Sequence, residues 1–351
     1  MNSAIDRRTF LTGTLVVSGL GLLSACARGA DASGAGLDTR SPLPTKVPPG
    51  TKLTIAASLG ALSLEAKLSG QLKNLPFTVP QWPNIGAGPD VINAFRAHSL
   101  DVANNAGIPP IQAEYQSFNA RIVAVSLTRK PTYVFATKPH SDIHSVEDFR
   151  GKKLAFSQGQ AQGVVILRAL NKAGIKYSDV KLVPLTSDQF HTALQVGQVD
   201  VAPLGITQIH QYLNQYGKDG AREITTDVVD LLNILWSPAD VLADKAKVAA
   251  IAAYIPVWAR GLVWVYEHPG QWVEDYYVKT QDITAAQGED IMRRSNKPLF
   301  PPKWDEAISW EQETIKLLTE SGYAKSFKAE SIFDRRFESL AANAVPATYR
   351  R

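Results

Sequence analysis

Cysteine is nearly absent from this chain: its 351 residues include one cysteine, Cys26, and two methionines. A single cysteine excludes a disulfide within the chain and a metal site built from several thiolates. Any thiol chemistry would have to come from this one residue, which stands at the end of an N-terminal apolar run.

Charge of one sign and long hydrophobic runs are also scarce. The chain has 37 basic and 33 acidic residues and a formal net charge of +4, with no basic stripe, so nucleic acid is not an expected partner. Beyond residue 26 no apolar stretch is long enough to predict a membrane span. The apolar segment 248–266 is interrupted by Pro256 and Arg260, which favours a buried amphipathic helix.

The first 26 residues have the pattern of an export signal. Arg7-Arg8 precede an apolar run from Leu11 to Leu23, which is typical of the twin-arginine type of bacterial signal. The sequence Leu23-Ser24-Ala25-Cys26 resembles a lipoprotein lipobox, which implies lipidation of Cys26 and membrane anchoring through that lipid. We therefore expect an extracytoplasmic protein at the outer face of a bacterial cell membrane. The alternative is an unlipidated signal peptide with an incidental cysteine.

Residues 27–50 are rich in Gly, Ala, Ser and Pro and predict a flexible tether. Strand and helix patterns then alternate, which favours an α/β fold with a parallel, doubly wound sheet. The expected strands are 53–57, 77–82 and 100–103, and the expected helices are 62–72 and 86–97.

The same order recurs further along the chain. The segments Ala94–Asn105 and Ala193–Leu204 both run from a helix end through a turn into Asp-Val-Ala. The second copy has predicted strands 153–157 and 180–185 and predicted helices 161–173 and 187–196. The chain therefore predicts two similar lobes, each a sheet flanked by helices, with a ligand cleft between the lobes.

After a predicted strand at 231–236 the pattern becomes helical, with helices expected at 245–268, 270–279, 284–295 and 304–320. We interpret lobe one as discontinuous, formed by 51–137 and 234–351, with lobe two at 138–233. Two connections, near 132–139 and 232–237, would form a hinge that permits closure on a ligand.

Three segments carry a family resemblance: LDVANNAGIPPI at Leu100–Ile111, SVEDFRGKKLAF at Ser145–Phe156, and LRALNKAGIKYSDV at Leu167–Val180. Their order and spacing resemble the substrate-binding proteins of ABC importers, in the aliphatic sulfonate, taurine and nitrate group. The resemblance implies a periplasmic-binding-protein-like (type II) fold and capture of a small organic anion for a permease and its ATPase subunit. It also implies a monomer with no catalytic activity and no cofactor.

The chain departs from that family at the ligand loops. The acidic residue usual before Ile108-Pro109-Pro110 is Gly107, and the turn at Ser157–Gly163 is rich in amides. The turn after the second Asp-Val-Ala is Leu204-Gly205-Ile206-Thr207. Loss of the acid makes an amine-bearing ligand such as taurine less expected. Amides suit a sulfonate, a carboxylate, or a neutral sulfone or amide.

Loops beyond the carboxyl ends of strands and the helix N-termini that follow them are the expected ligand contacts. The candidate ligand-binding residues are Ser58, Gly88, Asn104, Asn105, Ser157, Gln158, Gly159, Gln160, Gln162, Thr207 and Trp236, with Trp82, Trp236 and Ile206 as apolar walls. Ordinary helix capping and turn formation is the alternative role for each of these loops.

Other motifs do not predict a site. His140 and His144 lie in a polar loop without a third ligand, so we expect surface histidines and no metal. Gly159–Gly163 lacks the Lys-Ser/Thr of a phosphate loop. A binding protein that serves a sensor remains an alternative to an importer component. A sulfinate-desulfinase-like enzyme would need a cysteine in the cleft, and Cys26 is at the anchor.

Overall fold

The computed structural model describes residues 39–351; the expected signal, Cys26 and the start of the tether lie outside the described residues. The helices are α1 Ala61–Leu68, α2 Gly88–Arg96, α3 Ile108–Tyr115, α4 Ala161–Lys172, α5 Phe190–Gln195, α6 Ile206–Tyr216, α7 Ala239–Ala243, α8 Lys245–Glu267, α9 Pro269–Trp272, α10 Lys279–Gln281, α11 Ala285–Arg294, α12 Asp305–Glu320 and α13 Leu340–Asn343. The strands are β1 Ala103–Ala106, β2 Ala120–Leu127, β3 Tyr133–Thr137, β4 Lys153–Phe156, β5 Lys181–Pro184, β6 Val201–Gly205, β7 Glu223–Ile224 and β8 Leu232–Pro238.

The first sheet has the order β1-β8-β2, and both pairs are antiparallel. The expected parallel sheet is therefore wrong for these strands, because β8 returns from the second half of the chain and enters between β1 and β2 in the opposite direction. Parallel contacts persist beside β1, where Lys52 bridges Thr78 and Ile55 bridges Val102. The predicted strands 53–57 and 77–82 are thus extended segments that form single bridges.

The second sheet has the order β5-β4-β6-β3-β7. Its β4 is parallel to β5 and β6, as expected, whereas β3 runs antiparallel to β6 and β7. Helix α4 begins and ends within one residue of the predicted helix 161–173.

β3 lies in the second sheet, although the sequence analysis placed it in lobe one, and all of β8 lies in the first sheet. β3 joins the second sheet because it pairs with Val201–Gly205 of β6. Taking each sheet as one lobe, we propose that the connections between the lobes are residues 128–132, between β2 and β3, and residues 225–231, between β7 and β8.

Period-two burial fills both faces of the second sheet. Val134 and Ala136 of β3 join a cluster with Phe190, while Phe135 between them joins a cluster with Phe149.

One helix in the described part of the chain, α8, has the length and apolar composition of a membrane span. Of that window 61% is buried, as in a core helix.

The two Asp-Val-Ala motifs perform one structural task in both halves. The carboxylate of Asp101 accepts the Thr54 N–H (2.7 Å) and pairs with Lys247 Nζ (2.6 Å). The carboxylate of Asp200 accepts the Lys153 N–H (2.8 Å) and pairs with Lys138 Nζ (2.7 Å). Each aspartate therefore ties the start of its strand to the neighbouring extended segment, so the repeat in the sequence is a repeat in the structure.

Candidate functional site

A cleft of about 380 Å³ lies where loops of the first sheet meet loops of the second. The residues that line it are Ser58, Leu59, Gly86, Ala87, Gly88, Asp90, Asn105, Ala106, Pro109, Tyr133, Gln160, Ala161, Gln162, Ser187, Asp188 and Gln208. Five predicted site residues are among them: Ser58, Gly88, Asn105, Gln160 and Gln162. They come from four separate segments: the residues after 53–57, the start of α2, the strand β1 and the start of α4.

The first-lobe wall of the cleft (Ser58, Gly86–Asp90 and Asn105) is built around the start of α2. Its N-cap residue is Ala87, whose side chain cannot accept a hydrogen bond, so the helix begins without a side-chain cap. A Cβ at Gly86 would overlap the Ser58 hydroxyl, and a Cβ at Gly88 would stand 2.7 Å from the Gly159 carbonyl oxygen. Glycine at 86 lets the serine approach, and glycine at 88 lets the two walls meet.

The second-lobe wall (Gln160–Gln162, Ser187 and Gln208) is built around the start of α4. The N-cap Gln160 is 6% exposed, and its side chain does not cap its own helix. Its Oε1 instead accepts from the Ser157 hydroxyl and from the Ser187 N–H (3.1 Å), and its Nε2 donates to Ser187 Oγ (2.9 Å). This network fixes two loops of the wall and leaves the first-turn amides of α4 uncapped.

Asn105 is held in a comparable way on the first-lobe wall. Its Oδ1 accepts the indole N–H of Trp236 (2.8 Å), and its Nδ2 donates to the Gly86 carbonyl (2.8 Å). Trp236 is fully buried and packs edge-on against Phe95, with 4.8 Å between ring centroids. The predicted wall residue Trp236 therefore supports Asn105 from behind and does not line the cleft.

Several other predicted residues lie outside the cleft lining. The Asn104 amide donates to Asn233 Oδ1 (2.7 Å) and to the Ile234 carbonyl (2.8 Å), because alternate residues of β1 face opposite ways. Ser157 is 1% exposed and acts through Gln160.

The two turn residues between Ser157 and Gln160 also differ from the expected ligand contacts. Gln158 is exposed and absent from the lining. Gly159 has a φ of +78° and packs against Gln112, where a Cβ would lie 2.7 Å from that side chain's Cγ. Gly159 is thus a close-approach glycine at the meeting of the two walls.

Thr207 and Ile206 line a second cavity of about 310 Å³, together with Asn233, Trp272 and Tyr277. The expected apolar wall residue Trp82 instead packs toward Tyr254, with 6.2 Å between the ring centroids. The start of α6 borders the 310 Å³ cavity, and its Gln208 side chain accepts the Gly205 N–H (3.0 Å).

Sequence reasoning missed Ser187, Asp188 and Gln208 as lining residues. Ser187 and Asp188 lie shortly after the end of β5 at Pro184, so the rule about carboxyl ends of strands could have found them. Gln208 stands one residue beyond the predicted Thr207, at a helix start where the sequence does not fix which side chain faces the cleft.

The electrostatics of the cleft come from backbone and amides. No lysine, arginine or histidine is among the lining residues in the described part of the chain. Each of the two uncapped helix starts presents free N–H groups and about half a positive charge. The carboxylates of Asp90 and Asp188 are exposed at the rim. This arrangement matches one negative charge and disfavours two.

A larger cavity, about 660 Å³, lies elsewhere on the second lobe and is lined by His144, Lys172, Glu223 and Asp227 among others. His144 contacts the Arg222 guanidinium with both ring nitrogens near 2.6–2.8 Å. No cluster of three or more metal-ligating side chains occurs within residues 39–351. Size alone therefore does not identify the site, and convergent polar groups favour the cleft.

The structure thus has a two-lobe α/β fold with a cleft where the two sheets meet. A sequence model for the family described as NMT1/THI5 like matches residues 90–271, just over half of the chain. The chain belongs to this family.

One curated relative, from Escherichia coli (strain K12), is named for binding aliphatic sulfonates. It is 31% identical over 150 residues, which are 42% of this chain and 47% of the relative. The alignment thus spans about half the length of that relative. A Bacillus subtilis (strain 168) protein with the same description is 21% identical over 236 residues, covering 67% of this chain and 69% of the relative.

Solved structures share the fold. The alkanesulfonate-binding protein SsuA from Xanthomonas axonopodis pv. citri, bound to MOPS, superposes with a TM-score of 0.69 at 18% identity, covering 89% of this chain and 100% of that chain. The periplasmic aliphatic sulphonate binding protein SsuA from Escherichia coli gives 0.66 at 23% identity, with 80% and 91% covered. The predicted periplasmic-binding-protein fold is confirmed.

Proposed function

We propose that this chain is the extracytoplasmic substrate-binding component of an ABC importer. It captures a small sulfonate-like organic anion between its lobes by hinge closure and passes it to a permease that an ATPase subunit drives. The observation that carries the proposal is the pair of uncapped helix starts, α2 and α4, which face one cleft from opposite walls.

The charge of the cleft supports a monoanion. Two helix N-termini together supply about one positive charge, and the lining residues add amide and hydroxyl donors without a cation. A sulfonate carries a single charge and three acceptor oxygens at any physiological pH. A dianion would meet the rim carboxylates Asp90 and Asp188 without a lysine or arginine to offset them.

The related proteins support the same ligand class, since relatives in two bacteria are described as binding aliphatic sulfonates. A sulfinate-desulfinase-like role would need a cysteine in the cleft; the chain's one cysteine is Cys26, and no cysteine is among the cleft-lining residues within 39–351. A sensor-coupled binding protein would use the same cleft, and the two roles differ only in the partner.

A binding screen tests the ligand class. Alkanesulfonates, taurine, nitrate, carboxylates and sulfones are titrated into residues 39–351 and followed by thermal shift and calorimetry. A ligand at 100 times its Kd adds about 2.7 kcal/mol to the free energy of unfolding. Binding of sulfonates in preference to carboxylates is expected, and binding of none of these compounds by a folded chain would sink the proposal.

A variant locates the site. Gln160→Arg places a long side chain in the cleft and removes the amide that joins Ser157 to Ser187. We expect the affinity for the sulfonate to fall at least tenfold. Gln158→Arg, two residues away in the same turn and exposed, is the matched control and should bind as the unmodified chain does.

We also propose that the chain is exported through a twin-arginine signal and anchored by lipid on Cys26. The relatives described as periplasmic agree with an extracytoplasmic location. Cys26→Ser should release the protein from the membrane fraction into the soluble fraction without altering ligand affinity. Retention of the serine variant in the membrane fraction would argue against lipid anchoring.

A further inference from the structure

A buried polar cluster lies where the two lobes, the returning connection and the C-terminal helices meet. Its members are Arg168 of α4, Asp230 of the 225–231 connection, and Glu311 and Thr314 of α12. Arg168 Nη2 donates to Thr314 Oγ1 (2.7 Å), and its guanidinium lies 4.0 Å from the centroid of the Trp310 ring. The cluster therefore joins the second lobe to α12; we call it the junction cluster.

Glu311 has the least satisfied side chain in this cluster. It is 0% exposed, and neither carboxyl oxygen has a hydrogen-bond partner; Arg168 Nε also has none. One cation, Arg168, acts electrostatically on both the Glu311 and the Asp230 carboxyl, so ionisation of both would leave a net negative charge in a buried site. Burial raises the pKa of Glu311 to about 8, with Asp230 adding to the rise and Arg168 opposing it. Burial likewise raises the pKa of Asp230 to about 7, against the pull of Arg168.

The carboxyl of Glu311 also touches the ligand wall from behind. A Cβ at Gly107 would overlap Glu311 Oε1 and lie 3.2 Å from Leu232 Cδ1. Gly107 is the N-cap of α3, and its neighbours Ala106 and Pro109 line the cleft. The absent side chain at 107 is thus the space that the Glu311 carboxyl fills, directly beneath the turn 105–109.

We propose that Glu311 is a positioning residue that acts on the ligand cleft through the turn 105–109, and that closure of the lobes is linked to uptake of a proton by the junction cluster. This inference rests on the proposed function. The closed arrangement buries the cluster between α4 and α12 and accepts a neutral carboxylic acid there. Opening moves α4 away with its lobe and lets water reach the carboxyls, which favours their ionised form.

We attribute a pH effect near neutrality to the carboxyls of the junction cluster, given the charged and titratable groups that face them. Arg168 approaches from α4, Asp230 from the connection with Tyr133 beside it, and Glu313 lies on α12 near Arg168. A sulfonate does not titrate between pH 6 and pH 9. No histidine is among the cleft-lining residues that the structure describes.

The test is the pH dependence of affinity for butanesulfonate, measured by calorimetry between pH 6 and pH 9. Affinity is expected to weaken threefold or more from pH 6 to about pH 8 and then to level off, since each proton linked to closure changes affinity up to about tenfold per pH unit. Glu311→Gln should flatten this profile, and Glu311→Ala, which also removes the contact with Gly107, should weaken binding throughout.

Glu65→Gln is the matched control. Glu65 of α1 is a second buried carboxyl whose pKa burial raises to about 7, but it faces Gly261 and lies outside the junction cluster. Its variant should keep the pH profile of the unmodified chain. A sloped profile that survives in Glu311→Gln, or is flattened equally by Glu65→Gln, overturns the proposal.

A second measurement needs no variant. Calorimetry in buffers of different ionisation enthalpy, at pH 7, should show net proton uptake when the unmodified chain binds butanesulfonate. Binding without proton uptake would overturn the linkage and leave the proposed function standing. Absence of sulfonate binding at every pH would instead remove the proposed function, and this inference with it.

Discussion

The two walls of the cleft have the same arrangement of polar groups, but different side chains hold that arrangement in place. Each wall presents a helix start without a side-chain cap and one amide side chain fixed by neighbours. On the first-lobe wall a buried indole, Trp236, and a backbone carbonyl hold Asn105. On the second-lobe wall two serines, Ser157 and Ser187, hold Gln160. An aromatic-backed wall and a hydroxyl-backed wall thus each place an amide side chain at the same cleft through different supports.

The two walls also share a structural support: each follows a strand that an aspartate carboxylate joins to the neighbouring segment. Burial raises the pKa of Asp200, but the Lys138 ammonium and the Lys153 N–H outweigh it, so the pKa of this carboxyl is lowered. Its stabilising contribution is therefore present above the pKa of the unfolded chain and is lost as the pH falls through the folded pKa.

The largest expected effect comes from removing either aspartate. Asp200→Ala loses charge-assisted hydrogen bonds to a backbone N–H and to Lys138, and should lower the free energy of unfolding by about 2–3 kcal/mol. Asp101→Ala should cost a similar amount. Hydrogen exchange is expected to rise mainly in the second sheet for Asp200→Ala and in the first for Asp101→Ala. Equal loss of protection in both sheets would contradict the conclusion that each aspartate stabilises its own half of the molecule.

Gly88→Ala is expected to act between the walls. The added Cβ would stand 2.7 Å from the Gly159 carbonyl and from Pro109 Cγ, so the lobes could not close as they do here. We expect sulfonate affinity to fall about tenfold, which corresponds to about 1.4 kcal/mol. Gly270→Ala, where no atom lies within 4 Å of the new Cβ, is the control. Unchanged affinity in Gly88→Ala would mean that the walls do not approach each other in the bound state.

Removing the hydrogen bond that holds one amide side chain at a time compares the contributions of the two walls directly. Ser157→Ala deletes the hydroxyl that donates to Gln160, and Trp236→Phe deletes the N–H that donates to Asn105. Each loses one buried hydrogen bond of about 0.5–1.5 kcal/mol, so binding two- to tenfold weaker is expected for both. Titration of the two variants with one sulfonate shows whether the walls contribute equally. If only one variant weakens binding, the other wall's amide is not a ligand contact.

The smallest effects separate two adjacent residues. Asn105→Ala should weaken sulfonate binding several-fold, because Asn105 lines the cleft. Asn104→Ala removes bonds to Asn233 and to the Ile234 carbonyl, and should cost about 1 kcal/mol of stability with little change in affinity. Thermal unfolding and calorimetry on both variants check this. The opposite assignment of effects would mean that β1 presents its other face to the ligand.

Much of the fold was readable from the sequence because it is encoded locally. Amphipathic periodicity placed α4, α8 and α12 within one or two residues of their observed bounds. Strand directions were not readable, because the pairing of β8 between β1 and β2 joins residues more than a hundred positions apart. The pairing of β3 with β6 was not readable either, because it joins residues 64 to 72 positions apart.

The sequence predicted which segments form the cleft, but not which residue of each segment lines it. Sequence reasoning found the loops at Ser58, Gly88, Asn105 and Gln160, since free N–H groups at helix starts are a local property. It also interpreted Gly107 as the loss of an acid. The structure instead brings the carboxyl of Glu311 to that place from a helix two hundred residues later, and no local pattern announces this contact.

Local sequence patterns specify the helices and the loops that follow the strands, and they include the paired Asp-Val-Ala motifs. Long-range packing selects which member of each neighbouring pair lines the cleft, Asn105 and not Asn104, Gln208 and not Thr207. The reason is geometric: consecutive side chains of a strand point to opposite faces, and those at a helix start differ by about 100°. A one-residue choice of register is therefore fixed by distant partners such as Trp236.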